Sequence, residues 1–234
     1  MKSLNVLIAC EESQAECIAW RRLGHNAYSC DIKPCRHGTP PEWHIVGDVL
    51  PLLDGQTDFT TQDNQKHHVD SWHLIIAHPP CTYLCKVGCP LMRIKGELQQ
   101  DRYVQMKEAR AFFFRCLRAN APYVAVENPL PMALAQLPKP SFFIHPSWFG
   151  VKYTKKTLYW VRNLPPIMPT IEYPNPKSFT HCSRGHYRSR TFPEVAQAIA
   201  EQWSQYILDE LNSSDNEQST QSMKSNSHDI SSMD

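Results

Sequence analysis

The sequence lacks an excess of charge of either sign. Its 24 lysines and arginines oppose 23 aspartates and glutamates, which leaves a formal net charge of +1 at pH 7. Proteins that hold nucleic acids through their overall charge are strongly basic, so this balance excludes a global electrostatic attraction to DNA or RNA. Any contact with a nucleic acid must come from a local cluster of basic side chains.

Long apolar runs are also missing. No apolar segment approaches the roughly 20 residues that cross a bilayer, so we expect no membrane partner. The chain opens with Met1-Lys2-Ser3 and passes directly into a short apolar stretch at residues 6–10, unlike a secretory signal peptide. We therefore expect a cytoplasmic protein, in which the nine cysteines are buried, catalytic or metal-bound rather than paired in disulfides.

Short apolar segments alternate with amphipathic segments along most of the chain. The pattern predicts strands at residues 5–10, 26–31, 44–49, 74–77, 123–127 and 157–161, and helices at residues 14–23, 98–119 and 193–211. This alternation predicts an α/β fold whose sheet is parallel at its centre. Residues 53–72 are polar and predict a loop. The composition of residues 212–234, rich in Ser, Asn, Gln and Asp, predicts a disordered tail behind one domain at residues 1–211.

Chemically useful side chains stand where four of the predicted strands end. They belong to the Cys10-Glu11-Glu12-Ser13 turn, Asp31, Cys81 and Glu127. Ligands of parallel α/β sheets bind outside the carboxyl ends of the strands, and an acid at the end of the second strand suits a ribose diol. Cys81 follows two prolines, which cannot continue a central strand, so the chain must turn there. A cysteine and a carboxylate from two strand ends can converge on one planar substrate.

Two segments resemble motifs of the DNA cytosine-5 methyltransferases. His78-Pro79-Pro80-Cys81 looks like the Pro-Cys motif of that family, and Val126-Glu127-Asn128-Pro129 looks like its Glu-Asn motif. The order of the two motifs, their separation and the helix between them also match. Residues 4–203 resemble short phage- or prophage-type members, most clearly at residues 78–84, 149–165 and 188–203. The resemblance implies a Rossmann-like S-adenosylmethionine-dependent methyltransferase fold with a mixed, mostly parallel sheet, in the cytoplasm of a bacterial host cell.

The resemblance implies transfer of a methyl group from S-adenosylmethionine to C5 of cytosine in DNA. Cytosine C5 is a poor nucleophile, and addition of the Cys81 thiolate at C6 would make C5 enamine-like. The addition pushes electron density toward N3, where the carboxyl group of Glu127 would stabilise it. The target base would first be flipped out of the duplex.

The resemblance also implies roles for further residues. Those expected at the cofactor are Cys10, Glu11, Ser13, Asp31, Ile32, Asp48, Pro79 and Thr191. Those expected at the substrate are Pro80, Asn128, Lys155, Lys156, Arg188 and Arg190. Basic residues interleaved with aromatics suit phosphate and base contacts, and the helix that starts after Thr191 could favour the cofactor carboxylate at its N-terminus.

Each of these residues also has a purely structural interpretation. Cys81 could be a buried core cysteine, Glu127 could cap a helix or pair with a surface lysine, and an acid at a strand end such as Asp31 could cap a turn. We expect no metal site: the spacing of Cys81, Cys85 and Cys89 matches neither zinc pairs nor cluster motifs, and His181, Cys182 and His186 fit a loop better.

The chain departs from the family pattern in two places. Residues 10–15 contain no glycine, whereas the family has a glycine-rich loop that lets the backbone approach the cofactor. Only about 25 residues separate Asn163 from Arg188, too few for a large target-recognition region. Sequence specificity is therefore expected to be short, relaxed or supplied by a partner chain.

Three functions stay open at this point. The first is the DNA methyltransferase. The second keeps the same pocket but modifies a free pyrimidine nucleotide, or uses an altered cofactor, as the two departures suggest. The third is a degenerate, non-enzymatic module that binds DNA or a protein, against which the presence of both Cys81 and Glu127 counts.

Overall fold

The computed structural model describes residues 2–179 and 191–229, the last fifteen of these by their backbone alone. The strands are β1 (Asn5–Ala9), β2 (Asn26–Asp31), β3 (His44–Val46), β4 (Asp58–Thr60), β5 (Lys66–His68), β6 (Leu74–Ala77), β7 (Arg93–Ile94), β8 (Glu97–Leu98), β9 (Tyr123–Pro129), β10 (Phe142–Ile144), β11 (Tyr153–Thr154), β12 (Thr157–Arg162) and β13 (Lys177–Ser178). The helices are α1 (Ala15–Arg22), α2 (Leu50–Leu53), α3 (Gln100–Leu117) and α4 (Pro193–Asp229). Within the described residues, none of the helices combines the length and the apolar character needed to span a membrane.

Seven strands form the central sheet, in the order β10-β12-β9-β6-β1-β2-β3. The five strands from β9 to β3 are parallel, whereas β12 runs antiparallel to both of its neighbours. The predicted fold class, an α/β Rossmann-like fold with a mixed, mostly parallel sheet, is confirmed. The chain proceeds outward from β1 to β3 and then returns to β6 on the other side of β1. This reversal opens a crevice at the carboxyl ends of β1 and β6, where open α/β sheets bind ligands.

The two faces of the sheet carry separate hydrophobic cores. In β1, Leu7 and Ala9 join the core beneath α3, whereas Val6 and Ile8 join the core beneath α1 and α4. Successive side chains of a strand point to opposite faces. A strand that is buried on both faces therefore appears in the sequence as an unbroken apolar run, and this is the pattern that predicts β1 and β6.

The structure corrects three details of the predicted elements. Residues 53–72 are not all loop, because they contain the antiparallel pair β4–β5, whose Phe59 stacks on Trp72 with ring centroids 5.5 Å apart. The strand β10, at the edge of the sheet, has no counterpart among the predicted strands. Helix α4 continues to Asp229 instead of ending near residue 211. Disorder of the tail stays a prediction.

Candidate active site

The loop that carries Cys81 is anchored to the end of β9. The backbone N–H of His78 donates to the carbonyl of Ala9 and so continues the pairing of β6 with β1. Pro79 is then buried, and its carbonyl accepts a 3.0 Å hydrogen bond from Nδ2 of the buried Asn128. Pro80 is exposed beside Cys81. Asn128, which the sequence places at the substrate, thus fixes the position of the Pro-Pro-Cys turn in this structure.

Two further backbone hydrogen bonds join the segment after Cys81 to the segment after Glu127. The N–H of Lys86 donates to the carbonyl of Leu130, and the N–H of Met132 donates to the carbonyl of Leu84, both at 2.8 Å. Since β6 and β9 are parallel neighbours, their carboxyl ends meet at one edge of the sheet. The two residues that the sequence predicts to act together are therefore brought together.

Cys81 and Cys85 face each other across one helical turn. The N–H of Cys85 donates to the carbonyl of Cys81, and both side chains are half-buried. The interaction with Cys85, followed by burial and the negative charge of Glu127, raises the pKa of the Cys81 thiol, while Lys155 lowers it. The same interaction, together with the backbone N–H groups of residues 87 and 88, lowers the pKa of Cys85 to about 6. In the free protein the proton of this pair therefore belongs to Cys81.

The carboxylate of Glu127 is nearly buried and faces two cations. Its Oε2 lies 3.2 Å from Nδ1 of His78, and 15% of its side chain is exposed. Burial raises the pKa of Glu127, but the hydrogen bond from His78 and the charges of Lys155 and His78 outweigh burial, so that the pKa is lowered overall. Glu127 is therefore ionised in the free protein at neutral pH.

His78 also contacts a second acid, Glu16, on the opposite side of its ring. Nε2 of His78 lies 3.3 Å from Oε1 of Glu16, whose side chain has no exposed surface and which accepts a 3.2 Å hydrogen bond from Oγ1 of Thr191. Burial lowers the pKa of His78, but Glu16 and Glu127 outweigh burial and raise it well above its ordinary value. Neither His78 nor Glu16 is among the site residues predicted from the sequence. The position of His78, directly before Pro-Pro-Cys, is the signal that could have found it.

The glycine-free turn after β1 is closed by the side chain of Glu11. Cys10 and Gln14 adopt positive φ values of 61° and 56°, in the region that glycine favours. The buried Glu11 carboxylate accepts hydrogen bonds from the N–H groups of Glu16 (2.8 Å) and Cys17 (3.3 Å) at the start of α1, and Oγ of Ser13 lies 3.4 Å from it. Burial and the charge of Glu16 raise the pKa of Glu11 to about 7. Here Glu11 caps α1, and its predicted contact with a cofactor stays a prediction.

Three more of the predicted cofactor residues gather at the ends of β1, β2 and β3. Burial raises the pKa of Cys10, and the nearby Cys116, Asp31, Cys30 and Asp48 raise it further, which puts the thiol close to both acids. Oδ1 of Asp31 accepts from the N–H of Lys33, and Oδ1 of Asp48 accepts from the N–H of Leu50, each at 3.0 Å.

Ile32, the fourth predicted residue at this edge, is 77% exposed beside Asp31. Two carboxylates next to an exposed apolar side chain fit the ribose and the base of a nucleoside. The methionine half of S-adenosylmethionine fits less directly, because Glu11 already holds the N–H groups of α1. Thr191, which borders the same crevice, donates to Glu16 and is the remaining predicted cofactor residue.

Of the four predicted basic residues, the structure describes the two lysines, Lys155 and Lys156. Lys155 lies near Cys81 and Glu127 and lowers the pKa of both, whereas Nζ of Lys156 lies 4.3 Å from the ring centroid of Phe143. Arg188 and Arg190, like His181, Cys182 and His186, lie outside the described residues.

A cleft opens beside Glu127. It is lined by Glu127, Ile144, Pro146, Lys155, Thr157, Tyr159, Thr191, Phe192 and Val195.

Comparisons with known proteins give likenesses to solved structures alone. No protein-family model and no curated protein matches the chain. Among solved structures, the chain is similar to a candidate DNA modification methyltransferase encoded within a prophage of E. coli, with 14% sequence identity and a TM-score of 0.43. The match covers 74% of this chain and 52% of that one, so the chain spans about half the length of that protein. The fold class is established by the strand order and register rather than by this likeness.

The site holds no obvious metal centre in the part of the chain that the structure describes. Within residues 2–179 and 191–229, no group of three or more His, Cys, Asp or Glu side chains is arranged to hold a metal ion. The described site presents a thiol pair, an ionised carboxylate, an imidazole and a lysine.

Proposed function

We propose that this chain transfers a methyl group from S-adenosylmethionine to C5 of cytosine in DNA through a covalent adduct on Cys81. The observation that carries the proposal is the meeting of Cys81 and Glu127 at the ends of the adjacent parallel strands β6 and β9. Asn128 and the two backbone hydrogen bonds between residues 84–86 and 130–132 hold that arrangement. A nucleophile and an acid at the ends of adjacent strands suit the two edges of one flipped base.

Each residue then has a defined part in the chemistry. The Cys81 sulfur adds to C6 of the cytosine, and Lys155 favours the thiolate that this addition needs. Because Oε2 of Glu127 is bound to His78, Oε1 is the oxygen that faces N3 and the exocyclic amine of the base. S-adenosylmethionine, when bound, supplies an electrophilic methyl group. Its nucleoside half is held by Asp31, Ile32, Asp48 and Cys10.

DNA is bound by a local basic surface, since the net charge provides no general attraction. Lys155 and Lys156 belong to this surface, and we assign Arg188 and Arg190 to it from the sequence alone. The exposed Pro80 borders the nucleophile. The segment between Asn163 and Arg188 is short, so the recognised sequence is short or relaxed, or a partner chain supplies it.

An altered cofactor or a free nucleotide is the second candidate. The Glu11 side chain occupies the start of α1, where the cofactor's carboxylate could otherwise find backbone N–H groups, and this favours a cofactor that differs at its methionine end. Mass spectrometry of nucleosides after incubation with DNA or with dCMP separates the candidates. Product in dCMP but never in DNA rejects the DNA methyltransferase. Calorimetric titration with S-adenosylmethionine tests the non-enzymatic alternative, for which no binding is expected.

Covalent trapping tests the proposed function directly. A random-sequence duplex pool in which every cytosine is 5-fluorocytosine should form a stable complex with the protein, because fluorine cannot leave C5 as a proton does. Cys81→Ser should abolish the complex, since the hydroxyl is a far weaker nucleophile at neutral pH. The measurement is the mass of the protein–DNA adduct and its tryptic map.

Cys89→Ser is the matched control, because Cys89 is an exposed cysteine of the same segment and should leave trapping unchanged. An adduct that survives in Cys81→Ser, or an adduct mapped to another cysteine, contradicts the proposed nucleophile. Absence of any adduct in the wild-type protein, with S-adenosylmethionine present, contradicts the proposed reaction.

A further inference from the structure

His78 connects the carboxylate of Glu127 to a second, fully buried carboxylate. Nδ1 of His78 lies 3.2 Å from Glu127, and Nε2 lies 3.3 Å from Glu16. The second contact is an ion contact rather than a well-aligned hydrogen bond, and Oε2 of Glu16 is buried without a hydrogen-bond partner among the described residues. A buried carboxylate is costly unless a cation accompanies it. The geometry therefore favours an imidazolium between two carboxylates.

We propose that His78, kept as a cation by Glu16, orients Glu127 and supplies the proton that Glu127 passes to the target base. The inference rests on the proposed function of Cys81 and Glu127. His78 does not touch the base, so it is a positioning residue that acts through Glu127. The reaction needs a source for the proton that the base takes up, because Glu127 is ionised in the free protein and has no proton of its own to give.

The protons and the electron pairs balance through two steps, the addition of Cys81 and the transfer of the methyl group. When the Cys81 sulfur forms its bond to C6, the thiol proton passes to the sulfur of Cys85 beside it. The C5–C6 π pair moves to C4–C5, and the C4–N3 π pair forms a bond to a second proton. Glu127 takes that proton from Nδ1 of His78, which becomes neutral, and delivers it to N3, so that Glu127 is again ionised. When C5 forms its bond to the methyl group, N3 returns the proton to Glu127, and Glu127 returns it to His78. No further acid is needed for these two steps.

Glu16 sustains the cycle because it favours return of the proton to His78. Thr191 donates to Oε1 of Glu16 at 3.2 Å and holds the carboxylate against the ring. The other charged or titratable groups that face this cluster come from three further elements of the fold. They are Glu11 before α1, Lys155 before β12, Tyr159 in β12 and Glu127 itself in β9. The acids favour a protonated His78, and Lys155 opposes it.

A titration of the free protein tests the charge on His78 without reference to activity. Nuclear magnetic resonance of ring-labelled histidine should show His78 protonated well above pH 6.5, and Glu16→Gln should move its titration to lower pH. Thr191→Val, which removes one hydrogen bond, should move it less. Titration of wild-type His78 at or below pH 6.5 would overturn the inference whatever the protein does to DNA.

The second arm measures single-turnover methyl transfer to a random-sequence duplex pool between pH 6 and pH 9. His78→Asn, which keeps a hydrogen-bond donor but carries no cation, should lower the rate roughly 100-fold, at the lower end of what general-acid catalysis contributes. The affinities for DNA and S-adenosylmethionine should stay within about twofold, because His78 does not contact either. Glu16→Gln should move the alkaline limb of the rate profile to lower pH.

His68→Asn is the matched control, because His68 is an exposed histidine of the β4–β5 pair. If His78→Asn keeps the wild-type rate and pH profile, the inference is wrong although the methyltransferase stands. If the wild-type protein transfers no methyl group to DNA, the proposed function fails, and the titration alone decides the charge on His78. Circular dichroism of each variant confirms that it is folded, and Thr191→Val provides the milder change.

Discussion

At the scale of single residues, the site is a set of acids and thiols whose charges are set by their neighbours. Glu127 is ionised because His78 and Lys155 face it. The interaction between the two thiols raises the pKa of Cys81 and lowers that of Cys85, which the nearby backbone N–H groups lower further. The thiol of Cys81 is therefore held in its less reactive, protonated form in the free protein. This arrangement limits side reactions of Cys81 in the free protein.

Alkylation rates should reveal this distribution of charge. At pH 7, iodoacetamide should label Cys85 before Cys81, because the pKa of Cys85 is about 6 and the thiolate is the reactive form. Cys85→Ser should then increase labelling of Cys81, since the largest cause of its raised pKa is removed. Peptide mass spectrometry of timed samples gives both rates. Faster labelling of Cys81 than of Cys85 in the wild-type protein contradicts the assignment, and Cys89→Ser should change neither rate.

At the scale of elements, the sequence predicts those whose side chains make a long, regular pattern. β1 and β6 are buried on both faces, and α4 carries the buried stripe Val195, Ile199, Trp203. Strands β4, β5 and β10 have three residues each, too few for two-residue periodicity to stand out from a polar background.

The same distinction, between residues within a recognisable pattern and residues outside one, decides which site residues can be predicted from the sequence. Cys81 and Glu127 are predictable because each closes a predicted strand in a motif that resembles a known family. Glu16 is not predictable, because an acid in the first turn of α1 looks like an ordinary favourable charge at a helix start. Only the folded structure, in which the first turn of α1 meets the residue that follows β6, reveals that the Glu16 side chain has no exposed surface and faces His78.

Helix α4 should contribute a large share of the stability through Trp203. The indole is fully buried, its ring lies 6.1 Å from that of Tyr159, and Nε1 donates to the carbonyl of Pro165 at 3.0 Å. Trp203→Ala should lower the free energy of unfolding by roughly 3–5 kcal/mol. The exposed Gln205 of the same helix is the control, and Gln205→Ala should cost no more than about 0.5 kcal/mol in urea unfolding. Equal losses for the two variants would show that α4 is not docked as described.

At the scale of the whole molecule, the buried acids link stability to pH. The pKa of Glu11 is raised to about 7 in the folded chain, from an ordinary value of 4.5. The folded state therefore binds more protons than the unfolded state between these values. The stability that a protonated Glu11 provides is fully present below pH 4.5 and is lost as the pH rises to about 7.

Glu11→Gln isolates this effect from the titration of other groups. The free energy of unfolding of the wild-type protein, taken relative to that of Glu11→Gln, should fall by on the order of 3 kcal/mol between pH 4.5 and pH 7.5. Urea unfolding at half-unit steps of pH measures it. Glu12→Gln changes the neighbouring carboxylate, which faces Lys33 and Arg36 at the surface, and should not reproduce the trend. A constant difference between wild type and Glu11→Gln contradicts the raised pKa.

The hydrogen bond from Thr191 to Glu16 joins residues 175 positions apart in the sequence. During synthesis, β1, β6 and β9 can emerge and pair while the last helix is still inside the ribosome, because domains form from the N-terminus onward. The acid cluster around His78 acquires its last member only when residue 191 arrives and α4 docks on α1. Completion of this cluster is thus a late event in the life of each chain, and a nascent or C-terminally cleaved product carries His78 and Glu16 without the hydrogen bond from Thr191.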